Sequence, residues 1–485
     1  MVALLTPALV EIYIALSALS LLLVGVFQGN GKSQLHTHLA MGIILGALVL
    51  YIFKDNQPGV FFDGLLLESS LSIFLKVLIL LGSFFVLAIA APHLKTFKLN
   101  QSEFPVLVLL ATLGMLVMVS ANDLMTLYLG LELQSLALYV LAAFRRDNLK
   151  ATESGVKYFV LGALASGILL YGSSLLYGFS GTTNFQGLLD VLKTGDPSTG
   201  VIIGGVLVLV AICFKISLAP FHMWTPDVYE GVSAPVTAYF SVVPKIAAFG
   251  LLMNLVLTPI SLLSSYWQPI LMTLAIGSIA VGAFGALFQS HIRRLLAYSA
   301  IGHMGFVVLG ISVLPNLTEV GTSSLIYLTI YVITSLGVFG CLLSLRLDGK
   351  SVDQIDHLKG LSKTHPKTSI CLAAFMFSMA GIPPLGGFFG KLYVLMSVVE
   401  AGFVWIAVVS IVLSVVAAYY YLRVVKVMYF DETEENIEVA ISSSGALVVL
   451  SSTVFVFFFV ALQAPLLQIV NTVVANIVTV YSGAV

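Results

Sequence analysis

The chain has 485 residues, of which 59% are hydrophobic and only 9% are charged, and its formal net charge is -1. Soluble domains carry about 25% charged residues, so a surface this poor in charge is solvated by lipid rather than by water. The near-neutral charge excludes a basic field of the kind that attracts nucleic acid. The composition therefore predicts an all-α polytopic membrane protein.

Apolar runs long enough to cross a bilayer recur from one end of the chain to the other and predict about 14 transmembrane helices. The first run has no basic segment before it and is long enough to span, so it is predicted to be a retained helix rather than a cleaved signal. The predicted spans are 8–27, 39–53, 69–91, 104–121, 123–143, 151–178, 201–222, 233–257, 268–289, 295–314, 323–346, 368–398, 402–428 and 444–471.

The loops between these spans differ in their basic residues, which sets the predicted orientation. Loops after odd-numbered helices hold 15 Lys and Arg residues, Lys32 and Lys98 among them, whereas loops after even-numbered helices hold only Lys54 and Lys193. Basic loops stay on the cytoplasmic or matrix side. Both termini are therefore predicted to lie on the opposite, positive side of the membrane.

Five of the 22 basic residues fall inside predicted helices, and all five are lysines: Lys76, Lys157, Lys215, Lys245 and Lys391. A lysine at the centre of a bilayer costs roughly 2.5–3.5 kcal/mol, so several of them indicate a function. Burial lowers the pKa of a lysine and a nearby carboxylate raises it again, so that such an amine can exchange a proton, which arginine cannot do. Snorkelling to a headgroup is the alternative, and it is as good an explanation for Lys76.

Glu132 is the carboxylate near the middle of a predicted span, while Glu153 and Lys157 have the i, i+4 spacing of a helix ion pair. Asp123, Asp227 and Glu230 lie at span edges, where solvation or capping is expected.

Two predicted spans are interrupted by proline, in AICFKISLAPFHMW and in FMFSMAGIPPLGGFFGKLYVL. Each helix should break there, and paired broken helices in two halves of a transporter indicate its ion site. They are helices 7 and 12, and their spacing predicts two five-helix repeats, helices 4–8 and 9–13, in inverted orientation. Two incidental kinks are the alternative. The predicted domains are 1–103, 104–257 as the first repeat, 258–430 as the second, and 431–485.

His222 adjoins the first break and His303 follows a basic loop. Each is a candidate proton relay, because the pKa of histidine is close to neutrality. A buried imidazole bonded to a carbonyl is the alternative for both. Trp224 and Trp267 are expected to be interfacial aromatics.

FKISLAPFHMWTPDVYEGVSAPVTAYFSVVPKIAAFG, RRLLAYSAIGHMGF and MAGIPPLGGFFGKLYVL together resemble the proton-pumping antiporter-like subunits of respiratory complex I. GLELQSL and ATESGVKYFVLGALASG narrow the resemblance to the subunit N family, called subunit 2 in mitochondria. The resemblance covers nearly the whole chain. Multi-subunit cation/proton antiporters share the pattern of helices 7 and 12.

The resemblance implies a role for each interior residue except Lys76, which matches no motif of the family. It implies that Glu132 and Lys157 form an ion pair that responds to an adjacent subunit, and that protons pass through Lys215, Lys245 and Lys391. Quinone reduction elsewhere would supply the energy.

The three cysteines form no C-x-x-C pair, and the sequence holds no P-loop or dinucleotide fingerprint. No metal or cofactor is therefore expected on this chain, and the resemblance implies that NADH, FMN, Fe–S clusters and quinone bind to other subunits. The chain would be a non-redox subunit of a proton-translocating NADH:quinone oxidoreductase, in contact with other membrane-arm subunits and lipids.

Three rivals remain: a subunit of a sodium/proton antiporter without a redox partner, a structural membrane subunit, and a chloroplast or cyanobacterial relative that takes electrons from ferredoxin. The many Phe and Tyr residues and the scarcity of Arg favour the mitochondrial inner membrane slightly over a bacterial membrane.

Overall fold

The computed structural model describes residues 5–28, 33–54, 58–97, 99, 101–313, 317–432 and 437–481. Within these residues the chain is nearly all helical, which confirms the predicted fold class. Lys32 and Lys98, which contributed to the predicted orientation, lie outside the described residues.

The first half of the described chain forms ten α-helices. They are α1 Leu9–Gln28, α2 Ser33–Phe53, α3 Ser70–Thr96, α4 Glu103–Val119, α5 Leu124–Ala142, α6 Leu149–Ser180, α7 Phe185–Lys193, α8 Thr199–Ile216, α9 Trp224–Gly231 and α10 Ala234–Leu257. The short helix α7 lies in a loop, and no apolar run predicted it.

The second half forms nine more. They are α11 Ser264–Leu287, α12 Ile292–Ser312, α13 Leu317–Ser344, α14 Leu361–Thr364, α15 Pro366–Ala380, α16 Gly386–Glu400, α17 Val404–Phe430, α18 Ser443–Phe457 and α19 Phe459–Tyr481. Short 3-10 turns occur at Thr6–Ala8, Ser261–Leu263 and Ile355–Leu358.

Five short strands connect loops rather than build a core. Strands β1 (Gly59–Phe61) and β2 (Leu66–Glu68) form an antiparallel hairpin between α2 and α3. At the other end of the bundle, β3 (Leu345–Leu347) pairs with β4 (Lys350–Ser351) and with β5 (Ile437–Val439). The backbone polar groups of these loops are thereby satisfied outside the helices.

Eleven of the described helices are long and apolar enough to span a membrane, or 12 if the bent pair α18–α19 is one span. The two remaining predicted spans correspond to α4, which is apolar but only 17 residues long, and to the interrupted pair α15–α16. The last predicted span, 444–471, corresponds to the bent pair α18–α19, whose two helices meet at an angle of 89°. Residues on both sides of the bend are apolar, so hydropathy gave no sign of it.

Both predicted interruptions are present. Helix α8 ends at Ile216, and Ser217 adopts a left-handed conformation with φ 70°, whereas α15 ends at Ala380 before Gly381 with φ 87°. The Ala219–Pro220 and Pro383–Pro384 peptide bonds that follow are both cis. Each break leaves helix-terminal carbonyl groups inside the bundle, where a donor must satisfy them.

Polar side chains fix where the helices begin. Asp123 caps α5 by accepting hydrogen bonds from the backbone N–H groups of Met125 and Thr126, as expected for an edge carboxylate. Asn148 and Ser198 cap α6 and α8 in the same way. These caps set the depth at which the interior charged residues of each helix lie.

Candidate functional site

Lys215 is buried one residue before the end of α8, at the first break. Its ammonium nitrogen donates hydrogen bonds to the hydroxyl oxygens of Ser135, at 2.7 Å, and Tyr139, at 3.2 Å, both on α5. The Tyr139 hydroxyl fits there because residue 162 is glycine: a Cβ at Gly162 would lie 2.1 Å from that oxygen. The amine is therefore held by neutral oxygens.

Glu132 acts electrostatically on Lys215 without forming an ion pair with it. The carboxylate lies one turn before Ser135 on α5, and its Oε1 atom is buried and makes no hydrogen bond. Leu129 and Leu136, which lie on the same side of the helix, are 63% and 55% exposed. Glu132 thus lies between Lys215 and the outer surface of α5, so a charge outside the chain could reach it.

The expected ion pair between Glu132 and Lys157 is wrong. The Lys157 side chain is 44% exposed, and its ammonium group pairs with Glu153 at 2.8 Å and with Asp227 on α9 at 3.0 Å. Two carboxylates at the rim of the bundle therefore satisfy this lysine, which leaves Glu132 to act on Lys215. The pairing of Lys157 with Glu153 that their spacing suggested is confirmed.

Asp227 and Glu230 of α9, predicted to be solvated or capping residues, belong to the same charged rim. Arg294 at the start of α12 pairs with Asp227 at 2.8 Å and with Glu230 at 3.1 Å, and Lys150 lies 3.6 Å from Glu230. The rim lines an open polar pocket of about 160 Å³. It ties α6 and α9 to α12, and so joins the two predicted repeats at one end of the bundle.

Lys245 donates a hydrogen bond to the carbonyl group that the first break leaves at the end of α8. Its buried ammonium nitrogen donates to the carbonyl of Ile216 at 2.7 Å and to the hydroxyl of Ser217 at 2.5 Å. The ring of Trp224 lies 5.4 Å away, and the indole N–H of Trp224 donates to the carbonyl of Phe214. Trp224 is therefore buried beside Lys245, and the expectation of an interfacial position was wrong.

Lys391 donates hydrogen bonds to the carbonyl groups at the second break. It lies on α16, the helix that follows this break. Its ammonium nitrogen donates to the carbonyls of Met379 and Ala380, both at 3.0 Å, and to the Ser414 hydroxyl on α17 at 2.8 Å. Gly381 leaves the space that the lysine side chain occupies. At both breaks a lysine that forms no ion pair thus donates to the carbonyl groups at the end of a broken helix.

His303 lies buried on α12 with both ring nitrogens hydrogen-bonded to tyrosines. Its Nδ1 is 2.7 Å from the Tyr327 hydroxyl and its Nε2 is 2.9 Å from the Tyr421 hydroxyl. Its ring also lies 5.4 Å from that of Tyr331, whose hydroxyl donates to the carbonyl of Ser241, one turn before Lys245. His303 therefore lies between the elements that carry Lys245 and Lys391, whereas the alternative of a carbonyl-bonded imidazole finds no support.

His222 is half-buried in the turn between α8 and α9. Among the residues that the structure describes, no hydrogen bond joins its ring to another candidate residue. Its carbonyl accepts a hydrogen bond from the backbone of Thr225. Its role as a relay stays a prediction.

Lys76 does not snorkel: its side chain is 1% exposed and pairs with Glu11 at 2.7 Å and with Glu68 at 3.0 Å. Tyr51 donates a hydrogen bond to Glu68, and Lys54 lies 3.7 Å from the same carboxylate. These five residues form the N-terminal charge cluster, which holds α1, α2, α3 and β2 together. Sequence reasoning placed Lys54 in a loop and overlooked Glu11, because both lie at span ends, where solvation was assumed.

Among the residues that the structure describes, Lys215, Lys245 and Lys391 make no ion pair with a carboxylate. We call these three residues the lysine route. Sequence reasoning also missed their neutral partners, the hydroxyl groups of Ser135, Tyr139, Ser217 and Ser414. The one signal for them was that serines and tyrosines recur on helices otherwise lined by apolar residues.

Residues 121–417 match the family described as NADH:quinone oxidoreductase/Mrp antiporter, transmembrane. The chain is 48% identical over 467 residues to NADH-quinone oxidoreductase subunit N of Paramagnetospirillum magneticum, covering 95% of this chain and 96% of that protein. It is 46% identical over 467 residues to the protein of the same name from Pelagibacter ubique, covering 96% and 98%. These relatives are bacterial, so they give no support to the expected mitochondrial membrane.

Among solved structures, the chain is similar to one of respiratory complex I from Thermus thermophilus with bound aureothin, with TM-score 0.78, 29% identity, and coverage of 95% of this chain and 98% of that one. It also resembles a chain of an Mrp complex from Dietzia sp., with TM-score 0.84, 21% identity, and coverage of 98% and 97%. The latter likeness shows the fold alone.

Proposed function

Because this chain belongs to the NADH:quinone oxidoreductase/Mrp antiporter transmembrane family, on its subunit N branch, we propose that it is a proton-translocating subunit of the membrane arm of an NADH:quinone oxidoreductase. Protons move through Lys215, Lys245 and Lys391, and quinone reduction elsewhere in the complex drives them. The observation that carries the proposal is that these buried amines are bonded to hydroxyl and carbonyl oxygens rather than to carboxylates.

A lysine that is buried without a counter-ion can release its proton, because burial penalises the ammonium form and no fixed negative charge offsets that penalty. Hydroxyl and carbonyl oxygens still accept hydrogen bonds from the amine in either protonation state. Such a residue can therefore load and unload a proton when a nearby charge changes. One elementary charge that crosses 100 mV costs about 2.3 kcal/mol, so modest electrostatic changes are sufficient in scale.

Glu132 is the group through which a change of charge in a neighbouring subunit reaches Lys215. Its carboxylate acts on Lys215 and lies towards the outward face of α5, next to exposed leucines. A carboxylate facing hydrocarbon is costly, so another membrane-arm subunit covers this face. A charge that moves in that subunit weakens or strengthens the hold of Glu132 on Lys215, and a proton is released or taken up.

The break between α8 and α9 lies next to both Lys215 and Lys245, the first two amines of the route. Lys245 is bonded to Ile216 and Ser217, which follow Lys215 directly in the chain. Beyond Lys245, Tyr331 and His303 lie between α10 and the second break, where Lys391 is held. These contacts support a polar path from the first break to the second.

The remaining parts of the proposal rest on the sequence. The distribution of basic loops favours both termini on the positive side of an energy-transducing membrane. The bacterial relatives favour a bacterial cytoplasmic membrane. We also propose that NADH, FMN, Fe–S clusters and quinone are bound by its partners, because the sequence holds no C-x-x-C pair, P-loop or dinucleotide fingerprint.

The experiment replaces Lys215 or Glu132 by alanine in the assembled complex and measures proton translocation and NADH oxidation in inverted membrane vesicles. Both variants are expected to lower the proton-to-electron ratio or the coupled rate. Lys193→Ala is the matched control, because Lys193 is an exposed lysine that pairs with Asp190 on α7. An unchanged ratio and rate in both Lys215→Ala and Glu132→Ala would end this mechanism.

A further inference from the structure

A cavity of about 20 Å³ lies inside the second repeat, beside Lys391. Ser299, His303, Ser414, Tyr420 and Tyr421 line it together with Lys391, and the remaining lining residues are apolar. A cavity of this size holds one water, and a water stays in a buried site when it finds two to four polar partners. This cavity therefore has both the volume and the partners for one water in contact with the lysine.

Tyr421 lines this cavity and joins it by a hydrogen bond to the Nε2 atom of His303. Its hydroxyl oxygen is 2.9 Å from His303 Nε2 and 2.5 Å from the Ser299 hydroxyl, and the residue is only 1% exposed. Tyr327 is bonded to the opposite ring nitrogen, Nδ1, at 2.7 Å. A continuous hydrogen-bonded chain thus runs from Ser299 through Tyr421 and His303 to Tyr327.

Such a chain has two proton arrangements. A neutral imidazole donates from one nitrogen and accepts at the other. In one arrangement His303 Nδ1–H donates to Tyr327, and Nε2 accepts the Tyr421 proton, while Ser299 donates to Tyr421. In the other, Nε2–H donates to Tyr421, Nδ1 accepts from Tyr327, and Tyr421 donates to Ser299.

From the first arrangement, one proton and its positive charge can pass from Lys391 to His303, because an imidazolium donates from both ring nitrogens. As Tyr421 gives its proton to Nε2, it takes one from water in the cavity, and His303, which keeps its Nδ1–H on Tyr327, becomes an imidazolium. The water is replenished by the ammonium group of Lys391, which becomes a neutral amine. The reverse sequence loads Lys391, so each bond that breaks to hydrogen is matched by one that forms.

We propose that Tyr421 is a relay residue that passes the proton between His303 and the cavity beside Lys391, with Ser299 holding the phenol in line. The inference rests on the proposed function and names the step that joins His303 to the last lysine of the route. Tyr421 belongs to no sequence motif singled out above. Its place follows from the packing of α17 against α11 and α15, which sets its hydroxyl against α12.

The test is Tyr421→Phe in the assembled complex, which removes one oxygen and keeps the ring. A positioned proton-transfer group contributes about 10²-fold or more, and water can replace part of it, so proton translocation is expected to slow about tenfold or more. Tyr239→Phe is the matched control: Tyr239 is equally buried, and its hydroxyl is bonded to Thr112 and to the carbonyl of Val108, away from the cavity. Translocation in this control is expected to match the unaltered complex.

Lys391→Met and the Tyr239→Phe control separate the possible failures. If Tyr421→Phe pumps normally while Lys391→Met does not, the relay is wrong and the proposed function stands; if both pump normally, the proposed function fails as well. If Tyr239→Phe slows translocation as much as Tyr421→Phe, the loss reflects packing and the relay is overturned.

Ser299→Ala tests the alignment of the phenol without altering a ring. It is expected to slow translocation less than Tyr421→Phe and to add little in the double variant, because both changes interrupt one proton chain. Fully additive losses in the double variant, or a normal rate and normal solvent deuterium isotope effect in Ser299→Ala, would overturn the alignment by Ser299. This variant also keeps the proposal open to refutation should Tyr421→Phe fail to assemble.

Discussion

Buried lysines occur in two contrasting regions of this chain. In the N-terminal charge cluster, Lys76 contacts Glu11 and Glu68, and Lys54 contacts Glu68, so positive and negative charges balance. In the lysine route each amine faces hydroxyl or carbonyl oxygens instead. The same residue type at similar burial thus has a permanent counter-charge in one region and none in the other.

This difference teaches how a membrane protein uses one side chain for two purposes. A buried lysine with two carboxylates stays charged and ties α1 and β2 to α3, but it has no reason to give up its proton. A lysine without a carboxylate is costly to keep charged, and so responds to small changes in nearby charge. Stability is therefore expected to depend on the cluster and transport on the route.

The largest effect on stability is expected from Lys76→Met, which leaves Glu11 and Glu68 buried without their main partner. Breaking a buried ion pair from one side costs about 3–5 kcal/mol. The measurement is the yield and unfolding temperature of the purified complex. The variant carrying Glu11→Gln and Glu68→Gln as well should recover much of the loss, and whatever complex assembles should keep its proton-to-electron ratio. A lowered ratio at normal yield would place Lys76 in the route and break the comparison.

Lys391→Met should impair transport more than stability, which is the opposite of the result expected for Lys76→Met. Methionine keeps most of the side-chain volume but removes the donor from the carbonyls of Met379 and Ala380, at a cost of about 1–3 kcal/mol. The complex should therefore still assemble, while proton translocation, followed by a pH-sensitive dye in vesicles, is lost or strongly reduced. Normal translocation in this variant would contradict a transport role for the second break.

Ser217→Gly sharpens the comparison at the first break. Ser217 has φ 70°, which costs a non-glycine residue about 1–2 kcal/mol, and glycine removes that strain together with the hydroxyl that Lys245 and Thr225 contact. The lost hydrogen bonds are worth about 1 kcal/mol each, so the unfolding temperature should change little. Translocation should slow, by less than in Lys391→Met. An unaltered rate would show that Lys245 does not depend on this hydroxyl.

The smallest effect near neutrality concerns Glu68, which lies on β2 outside the spans. Burial acts to raise the pKa of this carboxyl, but Lys76, Tyr51 and Lys54 outweigh it and hold the pKa below its usual range. A lowered folded pKa stabilises the protein above the unfolded value of about 4.3, and this contribution is lost as the pH falls through the folded pKa. The unfolding temperature should be flat above about pH 5 and fall more steeply in acid than that of Glu68→Gln. Parallel pH profiles for the two proteins would contradict the pairing.

The sequence by itself determined the fold class, the positions of almost all spans and both broken helices, because hydropathy and proline act locally along the chain. It also identified Lys215, Lys245 and Lys391 as interior residues, since apolar neighbours surround each of them. The second partner of Lys157, Asp227, and the burial of Lys76 could not be read in the same way. Helical spacing gives the depth of a residue, but not which neighbouring helix it faces.

Only the tertiary structure decided which lysines have carboxylates and which do not. Glu11 and Lys76 are 65 positions apart in the chain, and Tyr421 and His303 are 118 apart. Such contacts arise from how the helices pack around each other, which a pattern within one helix does not specify. Because the free energy of a buried charge depends on the atoms within a few ångströms of it, packing alone separated the structural lysines from those proposed to carry protons.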